Sequence, residues 1–289
     1  RNDTTRAVPF LLDETSKAKT TKMSMSFYVN QLKYILSFEL DKKRIYSETL
    51  TVYESIRPTK LYSRSYDPYT DSSVIEFGTN LKMAKKNQDT IAGNTINNCS
   101  VLAAFGNCNV GKTKLNDVYD YFAKQVKDVL APGMLLSGYV KRHLDKDKDG
   151  NLKKFILNFL KDSDFNIEDV TLHEEEELIT PELEQLIQKA PIADDAKSEM
   201  LKKGKITNTE LTFTHRTGNS LYELSEEYES NGTMRFLGMA IILNFLLKNN
   251  QFVPIDEVET SIHYELLSYF IKVFLANSNQ TSQMLLTTH

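Results

Sequence analysis

Two adjacent carboxylates near the end of the chain could carry out hydrolysis. Asp256 and Glu257 directly follow residues 252–255, an apolar run of strand length. Neighbouring residues that leave a strand diverge, so one carboxylate can hold a Mg²⁺ ion while the other orients or deprotonates a water molecule. We therefore predict Asp256 as the metal ligand and Glu257 as the catalytic base. An acidic turn after a buried strand is the alternative for this dipeptide taken alone.

Two further groups could bind phosphate. Ser230, Gly232 and Thr233 stand at the start of an apolar stretch, where hydroxyls and close-approaching backbone amides lie beside the positive end of a helix dipole. His289 follows the apolar run 284–286 and two threonines, and it could donate a hydrogen bond to a terminal phosphate. The alternatives are an ordinary helix cap at Ser230 and a structural histidine.

Three elements must position these groups. Residues 233–247 are apolar almost all round, which predicts a helix buried in a large core. The runs 252–255 and 284–286 predict strands, and open α/β sheets bind ligands beyond the carboxyl ends of their strands. Pro254 cannot donate to a sheet ladder, so we expect the first strand to be irregular or unpaired there. Together these elements point to nucleotide hydrolysis.

The three motifs, in this order, carry a family resemblance. Residues 228–235, 255–263 and 286–289 resemble the signature, the Walker B strand with its D-loop, and the switch histidine of bacterial AAA-type ATP-binding proteins with ABC/SMC-like heads. Relatives of this kind include abortive-infection and phage-defence ATPases. Residues 9–14, 27–29 and 34–41 are similar, more weakly, to the antiparallel β region that follows the P-loop in these proteins.

The resemblance implies an α/β fold, namely an ABC/SMC-like P-loop NTPase head with an antiparallel β region and a helical insertion. It also implies that the cofactors are ATP and Mg²⁺, and that a homodimer forms on ATP binding. Relatives often work with a nuclease or toxin partner subunit. By the resemblance, Asp256 is the Mg²⁺ ligand, Glu257 is the catalytic base and His289 is the switch. Ser261 and His263 belong to the segment that crosses the dimer interface. Ser230, Gly232 and Thr233 contact the terminal phosphate of ATP that a second subunit holds.

The position of the P-loop is open. In the resembling family a strand, a P-loop and its helix precede the region that starts near Arg1, so the chain looks like a fragment that lacks them. However, residues 106–113 satisfy the Walker A expression through Gly106, Gly111, Lys112 and Thr113, after an apolar run and before a helical pattern. A chance match and a working P-loop are both retained as interpretations.

We expect three segments along the chain. Residues 1–80 form the antiparallel β region, residues 81–205 a mainly helical insertion, and residues 206–289 the ATPase core with its three motifs. Polar and apolar residues alternate over 22–62, with a turn at Asp41, which predicts antiparallel strands.

Further patterns lie within the insertion. Apolar residues recur at helical spacing over 115–130 and 152–160, which predicts two helices. The charged stretches 174–177 and 191–205 predict an exposed part of the insertion. Residues 145–156 match a calcium-binding loop only in part, because Ile156 stands where a bidentate glutamate is required, so we interpret them as a solvated loop before a helix.

Composition narrows the class of protein. The 289 residues are 40% hydrophobic and can bury a sizeable core. The net charge of −4 argues against a nucleic-acid surface along the whole chain, so DNA is kept as a possible partner that charge does not indicate. Two cysteines fit a reducing cytoplasm, and no apolar run reaches the roughly 20 residues that a bilayer needs, so no membrane contact is expected.

Two other classes of protein fit parts of the pattern. A non-hydrolysing interaction module would keep the motifs as a scaffold, and Mg²⁺-dependent ATP turnover distinguishes it from an ATPase. A transporter ATPase fits less well, because Ser-Asn-Gly-Thr at residues 230–233 is not the usual transporter signature.

Overall fold

The computed structural model describes residues 4–163, 165–190, 192–277 and 281–289. Its contacts divide the chain into two compact units, Arg1–Val126 (unit 1) and Lys127–His289 (unit 2). The three segments expected from the sequence have their boundaries at residues 80/81 and 205/206. They are defined by sequence motifs and not by compact units, and that division stays a prediction.

An antiparallel meander forms the first part of unit 1. After a short helix, α1 (Glu14–Lys17), the chain runs through five strands that pair in sequential order: β1 (Thr21–Val29), β2 (Leu32–Leu40), β3 (Ile45–Tyr53), β4 (Thr59–Asp67) and β5 (Ser72–Phe77). The strands predicted over 22–62 are confirmed, and alternate side chains such as Tyr34 and Leu36 are buried. Asp41 lies in the turn between β2 and β3, as predicted.

Three helices share a core with this meander. They are α2 (Lys85–Asn94), α3 (Val101–Gly106) and α4 (Lys114–Asp120), the last continued by a π-helical turn at Tyr121–Gln125. The helix predicted over 115–130 therefore ends early. The chain becomes extended after Gln125 because the amides of Lys127 and Leu130 donate to carbonyl groups of a later strand instead.

A buried ion pair ties α3 to the sheet. The side chains of Glu48 and Arg64 are fully buried, with nitrogen and oxygen 3.7 Å apart. Glu48 accepts the amide of Val101, the first residue of α3, at 3.0 Å, and Arg64 donates to the carbonyl of Cys99 at 2.6 Å. Burial raises the pKa of Glu48 and lowers the pKa of Arg64. The run 101–106 is thereby held as a helix against the sheet.

Unit 2 combines helices with two separate sheets. Its elements are α5 (Ser137–Lys146), α6 (Asn151–Asp162), β6 (Ile167–Leu178), α7 (Pro181–Lys189), α8 (Asp194–Lys203), β7 (Lys205–Thr217), β8 (Ser220–Ser225), α9 (Asn231–Lys248), β9 (Phe252–Ile255), α10 (Tyr264–Ala276) and β10 (Gln283–Leu286). Strands β6, β7 and β8 are antiparallel, whereas β9 and β10 are parallel. The fold is mixed α/β with antiparallel sheets and helices, as predicted.

The charged stretches of the insertion are mostly exposed and form regular secondary structure. Residues 174–177 belong to β6, where Glu175 pairs with Asn208 of β7, and residues 194–203 form α8. Pro191 lies outside the described residues. Pairing with β7 makes the acidic run a strand although its side chains stay in solvent.

Helix α9 is the centre of the core of unit 2. Phe236, Leu237 and Ile241 have no exposed surface, and α5, α6 and α10 pack around the helix, so the predicted buried helix is confirmed. Even so, no helix in the described part of the chain combines the length and apolar character needed to span a membrane.

The loop that partly matches a calcium site caps a helix. Asp147 accepts the amides of Leu152 at 3.0 Å and Lys153 at 2.7 Å, in the first turn of α6. Its carboxylate thus satisfies backbone donors that a helix leaves open. The predicted loop before a helix is confirmed.

Candidate functional site

Strands β9 and β10 bring their polar ends to one edge. Ile255 is the register partner of Leu286, so Asp256 and Thr287 leave the sheet side by side. The hydroxyl of Thr287 donates to Oδ1 of Asp256 at 2.5 Å and accepts the amide of Glu257 at 2.8 Å. Sequence reasoning placed both strand ends correctly, but it assigned no part to Thr287. The roles of Asp256 and Glu257 stay predictions.

The backbone of Glu257 adopts an unfavourable conformation, which hydrogen bonds from neighbouring residues stabilise. Its φ is +44°, in the left-handed region that costs a residue with a side chain about 1 kcal/mol or more. Its carbonyl accepts the amide of Thr260 at 2.9 Å and Nη2 of Arg235 at 3.4 Å. The carboxylate is 44% exposed and accepts the Thr260 hydroxyl at 3.4 Å. A fixed backbone and an accessible carboxylate suit a group that must orient water.

His289 approaches both acids of this segment. Its Nε2 lies 3.5 Å from Oε1 of Glu257, and its ring is 84% exposed. Its backbone amide donates to Oε1 of Glu259 at 2.9 Å, and this bond lowers the pKa of the Glu259 carboxyl. The structure thus brings His289 next to the predicted base, with the imidazole open to solvent.

A third backbone segment pairs with the other edge of β9. The amides of Lys127 and Leu130 donate to the carbonyls of Phe252 and Pro254, and Asp256 donates to Leu130. The segment advances three residues while β9 advances two, so an extra residue lies opposite Pro254, which has no amide to donate. The predicted irregularity is confirmed, and Asp256 is held at its backbone by this pairing.

The predicted signature forms the start of α9. Ser230 is the N-cap, and its Oγ accepts the amide of Thr233 at 2.9 Å and lies 2.8 Å from the Thr233 hydroxyl. Thr233 is buried, whereas Ser230 is exposed. The cap therefore accounts for part of the motif, as the alternative interpretation holds. The amides of Asn231 and Gly232 open the helix and have no acceptor within it.

Gly232 is required by a close contact within the chain. A Cβ at this position would lie 2.6 Å from the carbonyl oxygen of Ser261. Ser261 itself has φ of +61° and is exposed, and His263 caps α10, with its Nδ1 accepting the amide of Glu265 at 3.5 Å. The signature and the segment predicted to cross the dimer interface are thus neighbours on one surface.

Arg235 belongs to this site although sequence reasoning did not assign it there. Its side chain lies on the buried helix α9, and Nη1 donates to the carbonyl of Pro132 at 2.9 Å. Its Nε is buried without a partner among the described residues. Burial lowers the pKa of Arg235, and the charge of Glu259 opposes that effect. A lone charge within an apolar helix was the signal that could have identified it.

The loop that matches the Walker A expression lies in unit 1, in a setting unlike a P-loop. The apolar run before it is helix α3 rather than a strand, and a Cβ on Gly106 would lie 2.1 Å from the ring of Tyr119. Thr113 caps α4 in a capping box with Asn116, while Lys112 and Gly111 are exposed. A P-loop needs a preceding strand and a free hydroxyl. The chance match is therefore the interpretation that we keep as a proposal.

A metal ion held at Asp256 would need more than one ligand. Within the residues that the structure describes, no group of three or more His, Cys, Asp or Glu side chains could hold a metal ion. At Asp256, a cation could take further oxygen ligands from a substrate and from water.

Comparison with known proteins gives a family and several similar solved structures. A family model described as "AAA domain, putative AbiEii toxin, Type IV TA system" matches residues 100–289. A solved structure similar to the chain is the SMC head domain from Thermotoga maritima, with 12% sequence identity and a TM-score of 0.34. That likeness covers 86% of this chain, which spans 66% of the length of the SMC head domain. No curated protein matches the chain.

Proposed function

The chain belongs to the AAA-domain family whose model matches residues 100–289, and on that premise we propose that it is part of a Mg²⁺-dependent ATP hydrolase that acts as a dimer. The observation that carries the proposal is the shared edge of β9 and β10. There Asp256, Glu257, Thr287 and His289 converge at the carboxyl ends of two parallel strands. Ligands bind at such strand ends in open α/β sheets.

The donor set at this edge suits Mg²⁺. Asp256 offers a carboxylate, and Thr287 adds a hydroxyl bonded to it at 2.5 Å. Mg²⁺ prefers oxygen ligands and is usually held by one or two carboxylates together with phosphates and water. Asp256 would hold the ion through the carboxylate oxygen that Thr287 leaves free. When bound, the ion would neutralise charge that develops on the phosphates.

Glu257 and His289 are assigned to the reacting end of ATP. The carboxylate of Glu257 can accept a proton from water, and its backbone is fixed by Thr287, Thr260 and Arg235. The exposed imidazole of His289, 3.5 Å from that carboxylate, can donate to a terminal phosphate. Positioning and electrostatic stabilisation of this kind account for most catalysis of phosphoryl transfer.

The signature is proposed to act on a second subunit. Ser230 is exposed at the start of α9, next to the amides of Asn231 and Gly232, which have no acceptor within the helix and can bind an anion together with Ser230. Ser261 and His263 lie on the same surface and are also exposed. A second copy that presents ATP to this surface would complete both sites, which is the reason for proposing an ATP-driven homodimer.

The main phosphate cradle is proposed to lie outside the Gly106–Thr113 loop. Among the described residues β10 pairs only with β9, so its other edge is open to a further parallel strand. A strand with its phosphate-binding loop at that edge would end beside Asp256 and Thr287. This geometry favours an upstream P-loop over the match at Lys112.

The effector is a further proposal. The description of the family names an AbiEii toxin and a type IV toxin–antitoxin system. We propose a nuclease or toxin partner subunit in the cytoplasm, with ATP turnover driving a conformational change rather than covalent chemistry on a second substrate. Co-purification of the native protein with its partner, with and without ATP, tests this point.

Turnover of Glu257→Gln tests the proposed function. In the full-length protein this variant should bind Mg·ATP but hydrolyse it about a hundredfold more slowly or worse, because a general base is lost. Glu182→Gln is the matched control, since Glu182 is an exposed acid in the first turn of α7, away from the proposed site. Unchanged turnover removes Glu257 from the role. A wild type that binds ATP without hydrolysing it supports the interaction module instead.

A further inference from the structure

The two compact units carry opposite net charges. Unit 1 contains 18 lysines and arginines against 13 aspartates and glutamates, whereas unit 2 contains 17 against 26. The whole-chain value of −4 therefore combines about +5 in unit 1 with about −9 in unit 2. The positive net charge of unit 1 makes it the unit that favours an anionic partner.

A basic cleft lies in unit 1 between the β2–β3 turn and the segment that leads into β1. It has a volume of about 610 Å³. The positively charged residues in its lining are Lys17, Lys19, Lys42, Lys43 and Arg44. Among the described residues of that lining, Asp41 is the one carboxylate. These described residues thus carry an excess of four positive charges before contacts are considered.

Asp41 does not neutralise the lysines because its oxygens serve the turn. One oxygen accepts the amides of Lys43 at 2.7 Å and Arg44 at 2.8 Å, and the other accepts the Tyr46 hydroxyl at 2.9 Å. Burial acts to raise the pKa of Asp41, but the backbone amides and the Tyr46 hydroxyl outweigh it and hold the pKa below its usual value. The Asp41 carboxylate therefore stabilises the turn and does not pair with the lysines.

Three cations of the cleft remain uncompensated. Arg44 pairs with Asp71 at 2.6 Å, and Lys17 pairs with Glu14 at 2.5 Å. By contrast, no carboxylate in the described part of the chain pairs with the ammonium groups of Lys19, Lys42 or Lys43, all of which are exposed. Exposed, unpaired lysines around one concavity suit closely spaced phosphates.

We propose that this basic cleft binds the phosphodiester backbone of a nucleic acid. The hydroxyl of Tyr46 donates to Asp41, and that of Tyr66 donates to Asp71 at 2.8 Å while Arg44 covers its ring. Both tyrosine hydroxyls are thus engaged within the protein, and the lysine ammonium groups are the charged donors that face a ligand. The contacts on offer are therefore electrostatic and independent of base sequence. A concave site also fits a ridge of phosphates better than a flat bilayer surface.

The salt dependence of binding tests the proposal. Anisotropy of a short labelled DNA duplex, and of RNA of the same sequence, is measured with the full-length protein without ATP at several salt concentrations. Lys42→Gln/Lys43→Gln should weaken binding about tenfold or more and reduce the slope of log K against log salt by about 2 for the duplex. Because ATP is absent, the result does not depend on the proposed hydrolysis.

A matched control separates the cleft from general charge. Lys202→Gln/Lys203→Gln removes the same charge from adjacent exposed lysines of α8 and should leave affinity and slope unchanged. If the double variant fails to fold, Lys19→Gln is used instead, because Lys19 lies outside the turn. This variant should also weaken binding of the nucleic acid. Binding of DNA or RNA that depends on Lys42 and Lys43 supports the proposal. Equal binding by the double variant, or binding only to phosphatidylserine vesicles, overturns it.

Discussion

Arg235 links three backbone segments around the proposed base. From the buried side of α9 it donates to the loop at Pro132 and to the carbonyl of Glu257, beside Glu259. The left-handed backbone of Glu257 needs such support, because unfavourable φ values persist only where the surroundings over-determine them. We therefore propose that Arg235 positions Glu257 and does not itself touch ATP.

Replacement of Arg235 should affect the chemical step more than binding. Arg235→Met keeps the length of the side chain but loses the bond to Glu257, so kcat should fall about tenfold to a hundredfold while KM for ATP changes little. Steady-state kinetics with the full-length protein measures both constants. Arg235→Lys, which retains one donor, should recover part of kcat. An equal loss in kcat and in folded protein would indicate a structural role alone.

At the scale of elements, the start of α9 has both a structural and a proposed functional role. Ser230 caps the helix, and Gly232 lies against the carbonyl of Ser261. Substitution of Gly232 would force that backbone apart, since a Cβ would lie 2.6 Å from the oxygen. Gly232 variants thus disturb folding, and a clean test of the signature must use Ser230.

Ser230→Asp separates the cap from phosphate binding. Aspartate is as good an N-cap as serine, so stability should stay within about 0.5 kcal/mol, but its charge repels phosphate. We expect ATP-driven dimerisation to be lost in the Glu257→Gln background, measured by sedimentation. Thr180→Asp is the control, because it places an aspartate at the exposed N-cap of α7 in the same way. This variant should still dimerise on ATP. Dimerisation of Ser230→Asp on ATP would remove the signature from the interface.

At the scale of the whole molecule, unit 1 holds the Walker A match and unit 2 holds the proposed catalytic edge of β9 and β10. Lys112 follows a helix that Glu48 and Arg64 fix to the sheet of unit 1. A working P-loop there would be expected to follow a strand. We therefore predict that Lys112 has no part in ATP binding.

Lys112→Ala should leave the affinity for Mg·ATP unchanged in the full-length protein. Lys86→Ala, at another exposed lysine of unit 1, is the control for loss of one charge. Calorimetry measures both. If the chain of 289 residues binds Mg·ATP tightly by itself and Lys112→Ala abolishes that binding, the Gly106–Thr113 loop is a P-loop and the upstream site is wrong.

Local pattern was sufficient for much of this protein. Alternation over residues 22–62 predicted the meander, and the all-round apolar character of 233–247 predicted the buried helix α9. The strand 252–255, its acidic end and the irregularity at Pro254 also followed from residue types. These features depend on periodicity and on the missing proline donor, which are properties of neighbouring residues.

Contacts between distant residues were decided only by the tertiary structure. The apolar run 101–105 follows the N-cap Ser100, which is a local helix signal, but the contact of the buried Glu48 with the amide of Val101 comes from the tertiary structure. The helix expected to reach Leu130 ends at Gln125 because β9 competes for the next amides. Arg235 reaches Glu257, and Gly232 meets Ser261, through packing across unit 2. A linear pattern cannot contain these outcomes, because each depends on which backbone donors and acceptors the fold brings within bonding distance.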